Sequence, residues 1–172
     1  LGAITDERLL YEYGAEVARE CREVGIHVNF APVLDVNDNP KNPVIGTRSF
    51  GEVPERVASL GIAYSKGLED NGVLATAKLF PGHGSTSTDS HKVLPTVNKS
   101  MQELNICELL PFRQYTDAGL SGVMVAHLSI PAIDNSGTPT SLSAKANALL
   151  RENVGFDGLI FTDALTMKGA NT

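Results

Sequence analysis

Four short runs constrain this chain more than anything else in it: "VNFAPVLD" (Val28 to Asp35), "VLATAKLF" (Val73 to Phe80), "GVMVAHL" (Gly122 to Leu128) and "GLIFTDAL" (Gly158 to Leu165). Each is apolar on both faces instead of alternating, the pattern of a strand buried in a parallel sheet. They begin at residues 28, 73, 122 and 158, giving intervals of 45, 49 and 36 residues. Parallel neighbours at such spacing need crossover connections, and the stretches between the runs carry helix signals.

The first helical pattern follows Thr5 as the expected N-cap. It places Leu9, Leu10, Tyr13, Val17, Cys21 and Val24 at helical spacing before Gly25 stops it. The second opens at Pro54, suited to a first helical turn, and runs through Val57, Leu60, Tyr64 and Leu68. Ser100 and Glu103 form a capping-box pattern for a third helix with Leu104, Leu109, Phe112 and Tyr115 facing inward, and Ser143 caps a fourth that ends before Gly155. Repeated strand-to-helix units fit either a (β/α) barrel or a doubly wound sheet.

The loops favour the barrel. Polar residues follow every strand end: Asp35 to Arg48, Lys78 to His91, His127 onward, and Asp163. A barrel gathers all such ends at one mouth, whereas an open sheet uses mainly one switch point. The fold class is therefore α/β, of the (β/α)8 TIM-barrel type. Four strands are half of the eight required, and a typical barrel takes about 250 residues. Residues 1–172 are thus expected to form a partial barrel domain, completed by the remaining barrel strands or by a second copy of the chain. A chain that opens on Leu1 instead of Met reads as the middle of something larger. A half-barrel ending at Thr172 would expose two strand edges and is expected to self-associate.

Composition removes several partners. A formal net charge of -6 and a pI near 5.1, with Lys and Arg scattered along the chain, argue against nucleic acid. The longest apolar runs are about eight residues, far below the roughly 20 of a membrane-spanning helix. Cys21 and Cys107 lie within helical patterns and have no metal or redox spacing, so they read as free buried thiols.

Chemistry concentrates at the strand ends. "FTDALTM" sets the Asp163 carboxylate where an apolar strand reaches the mouth, with no basic residue beside it in sequence. There it could cap the next helix or attack a carbon centre. Asp89 and His91, two residues apart in a non-helical loop, can face each other, the carboxylate fixing the imidazole for general acid/base work. Lys78 follows "VLATA", where a lysine is either a Schiff-base amine or a cation that binds substrate hydroxyls. Arg48 in "GTRSFG" reaches the same mouth. His83 in "PGHG" and His127 in "MVAH" read as loop braces. His83, Asp89 and His91 do not form an established ligand spacing, so neither a metal nor another cofactor is expected.

Four blocks together resemble a known family: "APVLDVNDNPKNPVIGTRSFG", "AKLFPGHGSTSTDSHKVLP", "GVMVAHLSIPAID" and "GLIFTDALTMKGA". They are similar, in order and over nearly the whole chain, to the catalytic barrel of glycoside hydrolase family 3, in its β-N-acetylglucosaminidase branch. The resemblance implies a retaining exo-glycosidase acting on terminal N-acetylhexosamine of peptidoglycan fragments or chitin-type saccharides. In that reading Asp163 is the nucleophile, His91 paired with Asp89 is the acid/base, and Arg48 and Lys78 bind sugar hydroxyls. Two positions depart from the family pattern: Leu79 stands where a substrate-binding histidine is usual, and Ser85 where aspartate is commonest. The alternatives are a β-glucosidase or β-xylosidase of the same family, a non-catalytic sugar-binding relative, or a Schiff-base aldolase acting through Lys78.

Overall fold

Strands and helices alternate along the chain as the four apolar runs require. The computed structural model describes residues 1–90 and 92–170. In chain order the elements are α1 (Glu7–Glu23), β1 (Val28–Asn29), α2 (Pro54–Asp70), β2 (Leu74–Phe80), α3 (Met101–Ile106), α4 (Leu109–Asp117), β3 (Gly122–Val125), α5 (Ala144–Ala148) and β4 (Leu159–Thr162). The strands form one parallel sheet in the order β1-β2-β3-β4. That is a run of consecutive units of a (β/α)8 barrel, with the helices on one side.

β1 is shorter than its apolar run. Only Val28 and Asn29 pair as a regular ladder, opposite Leu74 and Ala75. Pairing resumes irregularly beyond them: Ala31 O and Pro32 O accept the N–H groups of Thr76 and Lys78, and Leu34 N–H reaches Lys78 O. Pro32 has no N–H to donate, which interrupts the regular pattern. The outer strands are also less buried than expected. β3 is buried throughout, but β4 leaves Leu159 and Thr162 exposed because nothing among the described residues covers its far edge.

Helix α1 begins one residue later than expected. Asp6, not Thr5, caps it, with its carboxylate accepting the Arg8 N–H at 2.9 Å. Its buried stripe also differs. Leu10, Gly14 and Ala18 face α2, while Leu9, Tyr13 and Val24 are exposed. Small residues win because the two backbones touch: a Cβ on Gly14 would lie 2.2 Å from Tyr64 O, and one on Gly67 2.1 Å from Tyr11 O.

The third helical pattern is broken in two. Ser100 and Glu103 make the expected capping box at the start of α3, and Leu104, Leu109, Phe112 and Tyr115 are all buried as expected. Pro111 cannot donate the backbone bond that a continuous helix would need at that turn, so the break falls at Cys107 and Glu108. Phe112 then meets Phe80 of β2 edge-on, with ring centroids 5.3 Å apart. Ser143 caps α5 as expected, accepting the Ala146 N–H, and the helix widens over Leu149–Asn153 before Gly155. No described helix is long and apolar enough to cross a membrane.

At one level the outermost strands meet across the concave side of the sheet. Phe30, just after β1, and Phe161 of β4 pack with centroids 5.2 Å apart.

Candidate active site

The strand ends converge on a pocket of about 190 Å³ lined by Val44, Arg48, Lys78, Leu79, Ser90, Met124 and Asp163. Three of the residues singled out in the sequence thus share one cavity although they come from three different strand ends. Asp163 directly follows β4, and its backbone N–H donates to Val125 O at 3.0 Å. Its Oδ1 accepts the Ala164 N–H at 2.8 Å. The carboxylate has no basic neighbour in sequence, but Lys78 and Arg48 supply positive charge beside it in space.

Lys78 is half-buried near the end of β2. Burial and then the Arg48 guanidinium pull its ammonium below the ordinary lysine value, against the opposite pull of Asp163 and Asp35. Arg48 stands on a single helical turn, Gly46–Arg48, and its guanidinium donates to Val44 O at 3.1 Å. Leu79 presents an apolar wall to the same pocket.

The backbone of residues 79–86 is held by side chains from the preceding strand-end loop. Asp35 is buried to 1% exposure and accepts two N–H groups, from Leu79 at 3.0 Å and from His83 at 2.6 Å. Burial pushes its carboxyl up to about 7, outweighing those two donors and the nearby Arg48 and Lys78. Asn42 gives its amide hydrogens to His83 O and Gly84 O, each at 2.8 Å, and accepts from the N–H groups of Val44 and Ile45. Asn39 reaches Thr86 O at 3.0 Å. The approach is so close that a Cβ on Gly84 would sit 1.8 Å from Val36 O.

His83 braces this loop as expected. Its Nδ1 lies 2.8 Å from Thr86 Oγ1 and its Nε2 3.1 Å from Ser90 Oγ, and burial holds the imidazole below its ordinary value. Ser90, which stands between Asp89 and His91 in sequence, is buried. Asp89 is half-buried, and the expected partner His91 lies outside the described residues.

A second polar cluster sits beside this loop. Asp38, Cys107 and Glu108 place potential ligand atoms within 4.8 Å of one another. The ammonium of Lys99 already occupies the position of a cation, 2.7 Å from Asp38 Oδ2 and bonded to Glu108 Oε1. Ser85 Oγ joins the same two carboxylates. Burial, followed by Glu108, pushes the Cys107 thiol up to about 11, so it stays protonated and is a poor metal ligand.

Sequence reasoning passed over Asp35, Asn39, Asn42 and Ser90. The signal for Asp35 was there, since "APVLD" ends a buried run on a carboxylate just as "FTDA" does.

A parallel βα array with carboxylate and cationic groups gathered at its strand ends is a barrel-type domain with a polar strand-end site. The description "Glycosyl hydrolase family 3 N terminal domain" matches residues 1–172, and the chain belongs to that family. It is 43% identical over 170 residues to a beta-hexosaminidase of Neisseria meningitidis serogroup C (strain 053442), covering 98% of this chain and 46% of that protein. It is also similar to the solved glycoside hydrolase family 3 beta-N-acetylglucosaminidase from Paenibacillus sp. str. FPU-7. That match has a TM-score of 0.96 and 46% identity over 98% of this chain and 32% of that one. A third similarity is to NagZ from Neisseria gonorrhoeae in complex with N-trifluoroacetyl-D-glucosamine, with a TM-score of 0.85 and 41% identity over 93% of this chain and 47% of that one. The chain spans less than half the length of each of these relatives.

Proposed function

We propose that this chain supplies the catalytic strand ends of a retaining exo-β-N-acetylglucosaminidase that releases terminal N-acetylhexosamine from peptidoglycan fragments or chitin-type saccharides. The observation that carries the reading is the single pocket shared by Asp163, Lys78 and Arg48, with Ser90 of the Asp89–His91 loop on its wall. The bond from Ala164 N–H to Oδ1 fixes the plane of the Asp163 carboxylate. Its Oδ2 then attacks the anomeric carbon as the glycosidic bond breaks, and His91, oriented by Asp89, protonates the leaving oxygen. In the second step His91 takes a proton from water. The resulting hydroxyl displaces Asp163 from the anomeric carbon, and the sugar leaves with its configuration retained. Lys78 and Arg48 hold sugar hydroxyls by charge-assisted hydrogen bonds.

Relatives described as beta-hexosaminidase and beta-N-acetylglucosaminidase support the N-acetylated substrate. The test is release of p-nitrophenol by the intact protein from the β-N-acetylglucosaminide, the β-glucoside and the β-xyloside in parallel. Preference for the N-acetylated glycoside is expected. A preference for either plain glycoside would replace this reading with the β-glucosidase or β-xylosidase one.

A further inference from the structure

The segment that carries Asp163 rests on an imidazole that does not line the pocket. His127 follows β3 by two residues and is fully buried. Its Nε2 lies 3.0 Å from Ala164 O, the carbonyl of the residue after Asp163. A carbonyl can only accept, so Nε2 carries a proton and donates it there. Nδ1 lies 2.6 Å from Ser141 Oγ, on the single turn Thr140–Leu142.

The same residue supports the far end of the segment. A Cβ on Gly169 would sit 3.3 Å from His127 Cβ and 2.8 Å from Ser90 O. The Gly169 N–H donates to that Ser90 carbonyl at 3.2 Å. Ser90 lies between Asp89 and His91 in sequence, so the loop after β4 meets the Asp89–His91 loop at Ser90, where Gly169 is close to both Ser90 O and His127.

We propose that His127 is the positioning residue of the site, fixing Asp163 through Ala164 O and, through Gly169, the spacing between Asp163 and the Asp89–His91 loop. This rests on the hydrolase reading above. His127 touches neither substrate nor the reacting atoms. Its effect is geometric, and a displacement of about 1 Å at the reacting groups is enough to cost on the order of 100-fold in rate.

Three variants of the intact protein separate positioning from simple support. His127→Asn keeps an acceptor for Ser141 but has no donor that reaches Ala164 O. His127→Gln places an amide N–H at the ε position. Ser141→Ala removes the other partner and leaves the Ala164 bond alone. Each is measured for thermal midpoint, for kcat and KM on the p-nitrophenyl β-N-acetylglucosaminide, and for the rate at which a fluorinated N-acetylglucosaminyl fluoride labels Asp163.

His127→Asn is expected to lower kcat and the labelling rate by about 30- to 100-fold, with KM changed less than about threefold. His127→Gln and Ser141→Ala should keep both rates within about fivefold of wild type, even where their midpoints fall as far as that of His127→Asn. Rates that simply follow the midpoint across the three variants would overturn the assignment, as would full activity in His127→Asn. Failure of the wild type to turn over any of the three glycosides would instead overturn the hydrolase reading, and this assignment with it.

Discussion

The two walls of the pocket are built in opposite ways. On the β2 side the backbone of residues 79–86 is clamped by buried side chains: Asp35 takes two of its N–H groups, and Asn42 and Asn39 satisfy three of its carbonyls. On the β4 side Asp163 follows an edge strand with exposed residues at both ends. It is held by Val125, by Ala164 and, through Ala164, by His127. The cationic wall is therefore fixed by redundancy, and the carboxylate wall by a few specific bonds. Damage to the first should appear as lost stability, and damage to the second as lost rate.

The sharpest way to break the clamped wall is Gly84→Ala. The added methyl group meets Val36 O, a backbone atom that cannot swing aside. Overpacking of this kind costs about 3 kcal/mol at the upper end of its usual range, read as a lower urea midpoint. An unchanged midpoint would mean that the loop is not pressed against residue 36.

Asp35→Asn comes next. An amide turns its NH2, which cannot accept, toward one of the two backbone N–H groups, so that buried N–H loses its partner at a cost of about 1–3 kcal/mol. The variant also removes a pH dependence. The Asp35 carboxyl lies above its ordinary value of 3.8, at about 7 in the folded chain, so the folded state binds the extra proton between these two values. Wild-type stability relative to the variant is therefore greatest below about pH 4 and is lost as the pH rises through about 7. Thermal midpoints of the pair across that range should converge with rising pH. A constant gap would show that Asp35 stays ionised throughout.

The smallest effect is expected on the other wall. Leu159 is 52% exposed at the start of β4, so Leu159→Ala in a chain of these 172 residues should change stability by less than about 0.5 kcal/mol. A loss of about 2 kcal/mol or more, the scale of a core truncation, would mean that the edge is covered in solution.

What could be read from the sequence follows the same division. Periodicity located the four strands, the capping box at Ser100, and the apolar face of Leu104, Leu109, Phe112 and Tyr115. It also brought Arg48, Lys78 and Asp163 to one mouth, because parallel strands place all their C-terminal ends together. Contacts between separate segments were out of its reach. Gly14 and Ala18 read as gaps in a hydrophobic stripe until α2 is set against them. Asp35 and Asn42 read as the polar start of a loop until residues 79–84 fold over them. The break before α4 was legible in principle, since Pro111 lies in the pattern itself.

The meeting of Phe30 and Phe161 has a consequence for how such a domain acquires its shape. These rings belong to opposite margins of a sheet only four strands wide. For them to touch, the sheet must arch so that its two margins turn toward one another. The curvature is thus written into the twist and side-chain volumes of each successive unit. Further strands would inherit this arc, and a cylinder would close by continuing a bend that these four strands already hold.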